Sequence, residues 1–180
     1  MLQTEYKIGK RTTIRNTESQ LSISIKMQPD FLIVIFTALA GVFFAAFTTL
    51  LIVSFRFSFD MLIIKVVFGG ISLYMAYVNI WNFFGVENIL LSSKKLVLEK
   101  SFRSIPLFRK EFDLDEVQNI KIPDQAEIIP SHNYSSDYFK ISGGMLGFDY
   151  GNDLYAFGID LTKREAKEIL KIILNRVSIS

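Results

Sequence analysis

The sequence predicts an α+β membrane protein in which a transmembrane helical hairpin precedes a small β-barrel or sandwich closed by a C-terminal amphipathic helix. Three observations point there. Phe31 to Phe55 holds no charged residue in twenty-five positions, and Val66 to Val86 holds none in twenty-one. From Gly85 onward, apolar and polar residues alternate in short runs separated by turn residues, as in half-buried strands. Thr162 and Glu165 then stand in T-x-x-E spacing ahead of a helical apolar stripe.

Composition narrows the function classes. Half of the 180 residues are hydrophobic, with seventeen Phe, which excludes a disordered or collagen-like chain. There is no Cys, so disulfides, thiol nucleophiles and thiolate metal sites are excluded, and a reducing compartment fits. Residues 1–29 carry five basic and two acidic groups, whereas residues 85–180 carry thirteen and fourteen. That balance supplies no long-range field for gathering nucleic acid, so no nucleic-acid partner is expected.

Residues 1–29 come first. Leu21, Ile23, Ile25 and Met27 alternate with Ser22, Ser24 and Lys26, which makes a one-sided strand that needs a sheet to cover it. It is expected to join the β domain, with Lys10 to Arg15 as a further strand. Residues 30–84 form the hairpin, with spans about 31–55 and 61–84. At ~1.5 Å per residue the first span reaches roughly 37 Å, enough for a hydrocarbon core of ~30 Å. A cleaved signal peptide has a far shorter apolar core and a basic start, so a retained span is the reading. Lys65 snorkels to the headgroups, and Arg56 to Asp60 is too short for anything but an antiparallel link.

Thr37, Gly41, Ala45 and Thr49 recur every four positions, and Gly69, Ser72, Ala76 and Asn79 share a face. Small residues let two backbones approach closely where hydrophobicity supplies no drive, so the stripes are expected to meet. Gly41, Ala45, Gly69 and Ala76 are the candidate helix-packing residues; a dimer seam or a conduction path is the alternative use of the same stripes. Tyr74, Tyr77, Trp81, Phe83 and Phe84 read as an interfacial aromatic belt. Arg15, Lys26, Lys94, Lys95, Lys100 and Arg103 outnumber Arg56 and Lys65, which places both termini in the cytoplasm of a cell with an inner membrane.

Residues 85–180 supply the β domain. Glu87 to Ser92 and Lys95 to Lys100 flank a hairpin turn, and Leu107 to Leu114 puts Phe108, Phe112 and Leu114 on one face. Val117 to Ile122 stops at Pro123, and 123–143 reads as a long loop containing His132. Met145 to Tyr150 and Leu154 to Ile159 flank a turn headed by Gly151. Ala166, Ile169, Leu170, Ile173 and Val177 make the apolar stripe of the closing helix, about 162–177.

With Leu21-Ser-Ile-Ser-Ile-Lys before the first span, Trp81-Asn-Phe-Phe-Gly-Val-Glu87 after the second, Phe112-Asp-Leu-Asp-Glu-Val-Gln-Asn-Ile-Lys121, and Phe148-Asp-Tyr-Gly151 running into Phe157-Gly-Ile-Asp-Leu-Thr162, the chain resembles uncharacterised bacterial two-transmembrane-helix proteins with a pleckstrin-homology-like cytoplasmic domain. The resemblance runs from about residue 20 to the end. It implies seven or so strands with a C-terminal helix, tethered by the hairpin, and no activity.

Asp113, Asp115 and Glu116 could offer oxygen ligands to a cation, but lack further acids at loop spacing and read as solvent-facing. His132 would need a nucleophile and an orienting acid. Ser142, Gly143, Gly144 and Gly147 lack the Lys-Ser/Thr and the following helix of a phosphate loop, so they read as strand-entry glycines. No catalytic residue, metal or cofactor is expected. Lys94, Lys95, Arg103, Arg109 and Lys110 are the candidate headgroup- or partner-binding residues, diluted by Glu99 and Glu111, with ordinary solvated positions as the competing reading. Lys163, Lys167 and Lys171 read as an exposed helix face. The expected function is non-enzymatic docking of a protein partner or lipid headgroup at the membrane. The alternative is an accessory or assembly subunit of a larger membrane complex that packs through the hairpin.

Overall fold

The computed structural model describes residues 4–54, 61–103, 105–123 and 144–178. The chain order is β1 (Thr4–Ile8), β2 (Thr12–Asn16), β3 (Gln20–Lys26), α1 (Phe31–Ser54), α2 (Leu62–Phe84), β4 (Gly85–Ser92), β5 (Lys95–Phe102), β6 (Ile105–Asp113), a 3-10 turn (Leu114–Glu116), β7 (Val117–Lys121), β8 (Leu146–Tyr150), β9 (Asp153–Phe157) and α3 (Lys163–Val177). It divides into two compact units, residues 1–28 with 84–180, and residues 29–83.

In the first unit β1 to β6 form one antiparallel sheet in chain order, and β7 to β9 form a second. Of the expected barrel or sandwich, a closed barrel is not found among the described residues; two separate antiparallel sheets share one core. The physical reason lies in the strands that would have to meet. β1 is exposed at four of its five positions, and β6 buries only Phe112, so neither has the continuous apolar face a barrel wall requires. After Asp113 the 3-10 turn carries the chain out of the first sheet.

The alternation read from residues 21–27 builds the core directly. Leu21, Ile23 and Ile25 lie opposite Leu91, Ile89 and Glu87 of β4, and the apolar members join Ile14, Leu96 and Phe112 on one face. Leu146, Phe148 and Phe157 of the second sheet and Ala166, Ile169 and Ile173 of α3 close over that face. Each fully buried Ile of the helix contributes about 1.5–3 kcal/mol. Phe112 is the seam between sheets: its ring centroid lies 4.9 Å from Phe148 and 4.7 Å from Tyr155, both edge-on.

Local rules account for the element ends. Thr162 accepts from the Glu165 N–H while the Glu165 carboxylate accepts from the Thr162 N–H, so the capping box forms. The carbonyls of Thr17 and Glu18 accept from Arg176 at the other end of α3. Gly151 has φ +62° at the first position of its two-residue turn, as a type II′ turn needs. Asn119 at φ +50° sits within a register shift in β7, which returns Val117, Ile120 and Ile122 to the core side. Phe108, expected to share the core with Phe112, keeps that alternation opposite Lys100 but is exposed, at the strand end next to a bulge at Leu107.

In the second unit α1 and α2 are long and apolar enough to cross a membrane. Asp30 caps α1 by accepting from the Leu32 N–H at 3.0 Å. The helices run antiparallel, since Phe44 and Phe47 meet Phe68 while Gly41 meets Ser72. The expected link Arg56 to Asp60 lies outside the described residues.

Candidate functional site

The first unit presents three local arrangements with functional chemistry. One is a polar ladder on the sheet face that turns away from the core. Asn88 bridges strands: its carbonyl accepts from Ser24 at 2.7 Å, and its amide donates to Glu99 and to Ser101 at 3.2 Å each. Arg109 extends the ladder to β6, 3.8 Å from Glu99 and 2.8 Å from Glu111, and Lys95 approaches Glu111 at 2.8 Å. The hydrogen bond from Lys95 and then that from Arg109 hold the Glu111 carboxyl below its ordinary range, and the same contact raises Lys95. These groups are exposed, so such pairs contribute little to stability.

This arrangement separates the five predicted cations. Lys94 and Lys95 lie at the turn between β4 and β5, while Arg103 lies at the opposite strand end, level with Gly85, because Gly85 pairs with Phe102 and Leu91 with Leu96. The seven steps along β4 at ~3.3 Å each put roughly 23 Å between the two ends. Lys110 turns to the core side, where its ammonium donates to the Tyr155 hydroxyl at 2.8 Å and lies over the Tyr155 and Phe112 rings. Arg103 stacks 4.8 Å over the Phe84 ring. Lys95 and Arg109 are brought together on one acid; the set as a whole does not converge.

The second arrangement is a buried clamp absent from the sequence reading. Glu87 is 1% exposed, and one of its oxygens accepts from the backbone N–H groups of Gly158 at 2.9 Å and Ile159 at 2.8 Å. Burial pushes its carboxyl above the ordinary carboxylate range, opposed by the Lys100 charge and the two N–H groups. The following residue, Asp160, adopts φ +64° and is held by Arg11, which donates to its carboxylate at 2.5 Å and its carbonyl at 2.6 Å. Arg11 also stands 3.7 Å from Glu165, tying the start of α3 to the β1–β2 turn. The signal for Glu87 was in the strand parity, which places it in phase with Ile89 and Leu91; nothing in the sequence pairs Arg11 with Asp160.

The third is the β5–β6 tip, where Ile105, Leu107 and Phe108 stand exposed beside Pro106. The unalternating run Ile105-Pro-Leu-Phe108 was its signal.

The remaining candidates are quickly placed. Asp113, Asp115 and Glu116 are exposed, and Glu116 accepts from Tyr150, raising that phenol. No group of three metal-ligating side chains occurs among the described residues. His132, Ser142 and Gly143 lie outside them. Gly144 is required by packing, since a Cβ there would fall 2.0 Å from the Phe157 carbonyl oxygen, and one at Gly147 would approach Tyr155 O at 3.3 Å. Lys163, Lys167 and Lys171 lie on the exposed side of α3.

In the second unit the small-residue stripes contact only in part. Ser72 donates to the Gly41 carbonyl at 3.2 Å, and Gly69 lies against Thr48. Gly41, Ala45, Ala76, Thr37 and Asn79 line an open groove of about 460 Å³. The side-chain oxygen of Asn79 is buried there without a hydrogen-bond partner.

Compared with known families and curated proteins, the chain matches no family model and no curated sequence.

Proposed function

We propose that the protein is a membrane-anchored, non-enzymatic docking module, with α1 and α2 crossing the inner membrane as a hairpin and both termini in the cytoplasm. The observation that carries this is the outward surface of the two helices. Leu32 is 81% exposed, Leu73 75% and Ile63 74%, a degree of apolar display that water penalises and lipid does not. The β unit is read as PH-like on its antiparallel strands and its capped C-terminal helix. Its chemistry is that of contact: the Asn88–Glu99–Arg109–Glu111 ladder offers a flat face of alternating charge on a rigid sheet, suited to a protein partner with complementary charges.

Alkaline carbonate washing of cell membranes tests the anchor. Retention in the pellet is expected, and release into the supernatant overturns it. Capture of partners from detergent extract tests docking: a partner lost on Arg109→Glu supports it, and the same partner retained on that variant removes the ladder from the account.

One observation favours a second reading, an accessory or assembly subunit that packs through its hairpin. The open groove beside Gly41 and Ala76, floored by small residues, has room for a foreign helix to pack closely. Ala45→Leu, which fills the groove, would abolish complex formation while leaving the hairpin intact under this reading, and would do nothing under the first.

A further inference from the structure

We infer that the helix-proximal end of the six-stranded sheet is itself a lipid-binding surface, whose β5–β6 tip seats Ile105, Leu107 and Phe108 in the interfacial layer of an anionic bilayer. The inference rests on the reading that α1 and α2 span.

The placement follows from register within the β unit. The chain leaves for α1 after Lys26 and returns from α2 at Gly85, and these two points are joined, since the Gly85 carbonyl accepts from the Met27 N–H at 3.0 Å. Phe102 pairs with Gly85 and Ile105 with Phe102, and the Phe84 carbonyl accepts from the Arg103 N–H at 3.3 Å. The tip is therefore level with the last residue of α2. At that level Ile105 is 64% exposed, Phe108 55% and Leu107 52%, three apolar side chains within four residues.

A bulge interrupts the run: Leu107 has no partner between Phe108, opposite Lys100, and Pro106, opposite Ser101. Pro106 has no N–H to offer an added strand, which argues against a β-augmenting peptide as occupant. Phe108 pairs with Lys100 and Ile105 with Phe102, so with Leu107 bulged the run covers about 7 Å along the strand, within the ~5–10 Å depth at which interfacial elements sit.

Charge at the same end has the matching sign. Lys10 in the β1–β2 turn, Lys26 at the end of β3 and Arg103 at the tip are exposed. The acids nearby are occupied: Glu87 is buried on two backbone N–H groups, Asp160 is held by Arg11, and Glu165 closes the capping box of α3. Arg103 stands over the Phe84 ring with its charge in the open, a posture suited to a phosphate. The opposite end of the sheet carries Lys94 and Lys95 together with Glu18, Asp113, Asp115 and Glu116, so cations are not in excess there.

The full chain contains no Cys, so single cysteines report cleanly. Ile105→Cys, Ser93→Cys and Phe43→Cys, each labelled with the fluorophore NBD, are placed in nanodiscs of phosphatidylcholine with and without phosphatidylglycerol, doped with shallow or deep spin-labelled lipid. Position 105 is expected to be quenched by the shallow label about threefold more than position 93, with a blue-shifted emission. Phosphatidylglycerol should enlarge that difference in the parent chain and leave it unchanged in Lys10→Gln/Lys26→Gln/Arg103→Gln. Position 43 reports the spanning reading separately, through the deep label. If 43 is quenched and 105 behaves as 93, the inference is overturned with the spans intact, and the tip is left for a protein partner. If 43 is not quenched, the spanning reading falls and takes this inference with it. Equal response of the triple variant to phosphatidylglycerol would remove the cations from the account.

Discussion

Removing the carboxylate of Glu87 separates two contributions that the folded chain superimposes. Glu87→Gln keeps an oxygen for the Gly158 and Ile159 N–H groups but abolishes the charge; Glu87→Leu abolishes both. In the leucine variant two buried donors lose their acceptor at about 1–3 kcal/mol each, a total of about 2–6 kcal/mol. In the glutamine variant two charge-assisted bonds become neutral ones, a loss of roughly 2 kcal/mol in all, set against relief of a carboxylate burial that costs several kcal/mol. Glutamine is thus expected to equal or exceed the parent in stability at neutral pH. The direct assay is hydrogen exchange of the segment spanning Gly158 and Ile159 in detergent-solubilised full chain. Even the lower bound of 2 kcal/mol makes exchange about 30-fold faster in the leucine variant than in the glutamine variant. Indistinguishable exchange in the two variants would refute the clamp.

The pH dependence has a definite sign. A carboxyl raised by burial binds its proton more readily folded than unfolded, so its contribution is fully present below the ordinary carboxylate value and is lost as pH rises through the folded value. The parent should lose stability over that window upward from the ordinary carboxylate range, and Glu87→Gln should lack this component; a thermal-unfolding pH series that retains the full slope in the glutamine variant removes Glu87 as its source. At the start of α3, Thr162→Ala removes the capping box and should cost about 1 kcal/mol, read as faster exchange in the first helical turn; unchanged protection there would show that Arg11 alone holds the helix start. Gly144→Ala drives a Cβ into the Phe157 carbonyl, and a loss of about 3 kcal/mol in thermal stability is expected, whereas Gly151→Ala meets no atom and carries only the strain of its positive φ; equal melting of the two would contradict the packing assignment.

Much of this fold was legible because the signals are local. Thr162 and Glu165 cap their helix through a three-residue spacing that no distant contact alters. Leu21, Ile23 and Ile25 face one way because strand geometry leaves them no other choice. Gly41 and Ser72 follow from close backbone approach. What escaped was set across the chain. β1 buries only Ile8, so Thr4 to Lys7 carry no alternation and owe their strand to pairing with β2. The division into two sheets depends on where β6 stops pairing. The cations failed to converge because strand direction sends Lys94 and Arg103 to opposite ends of β5, and Lys110 is turned inward by Tyr155, forty-five residues away. Arg11 and Asp160 meet across 149 residues, which no spacing rule reaches.

The six strands of the large sheet are neighbours in the order in which they occur, although residues 29–83 intervene between the third and the fourth. Met27 and Gly85 are already within one hydrogen bond of each other. Topologically, then, the greasy segment is an insertion at the bend of a β-meander, and a splice of two turn residues from Gln28 to Gly85 leaves every strand pair its register. The β unit therefore owes none of its strand order to residues 29–83, and the shortened chain should keep its six-stranded sheet.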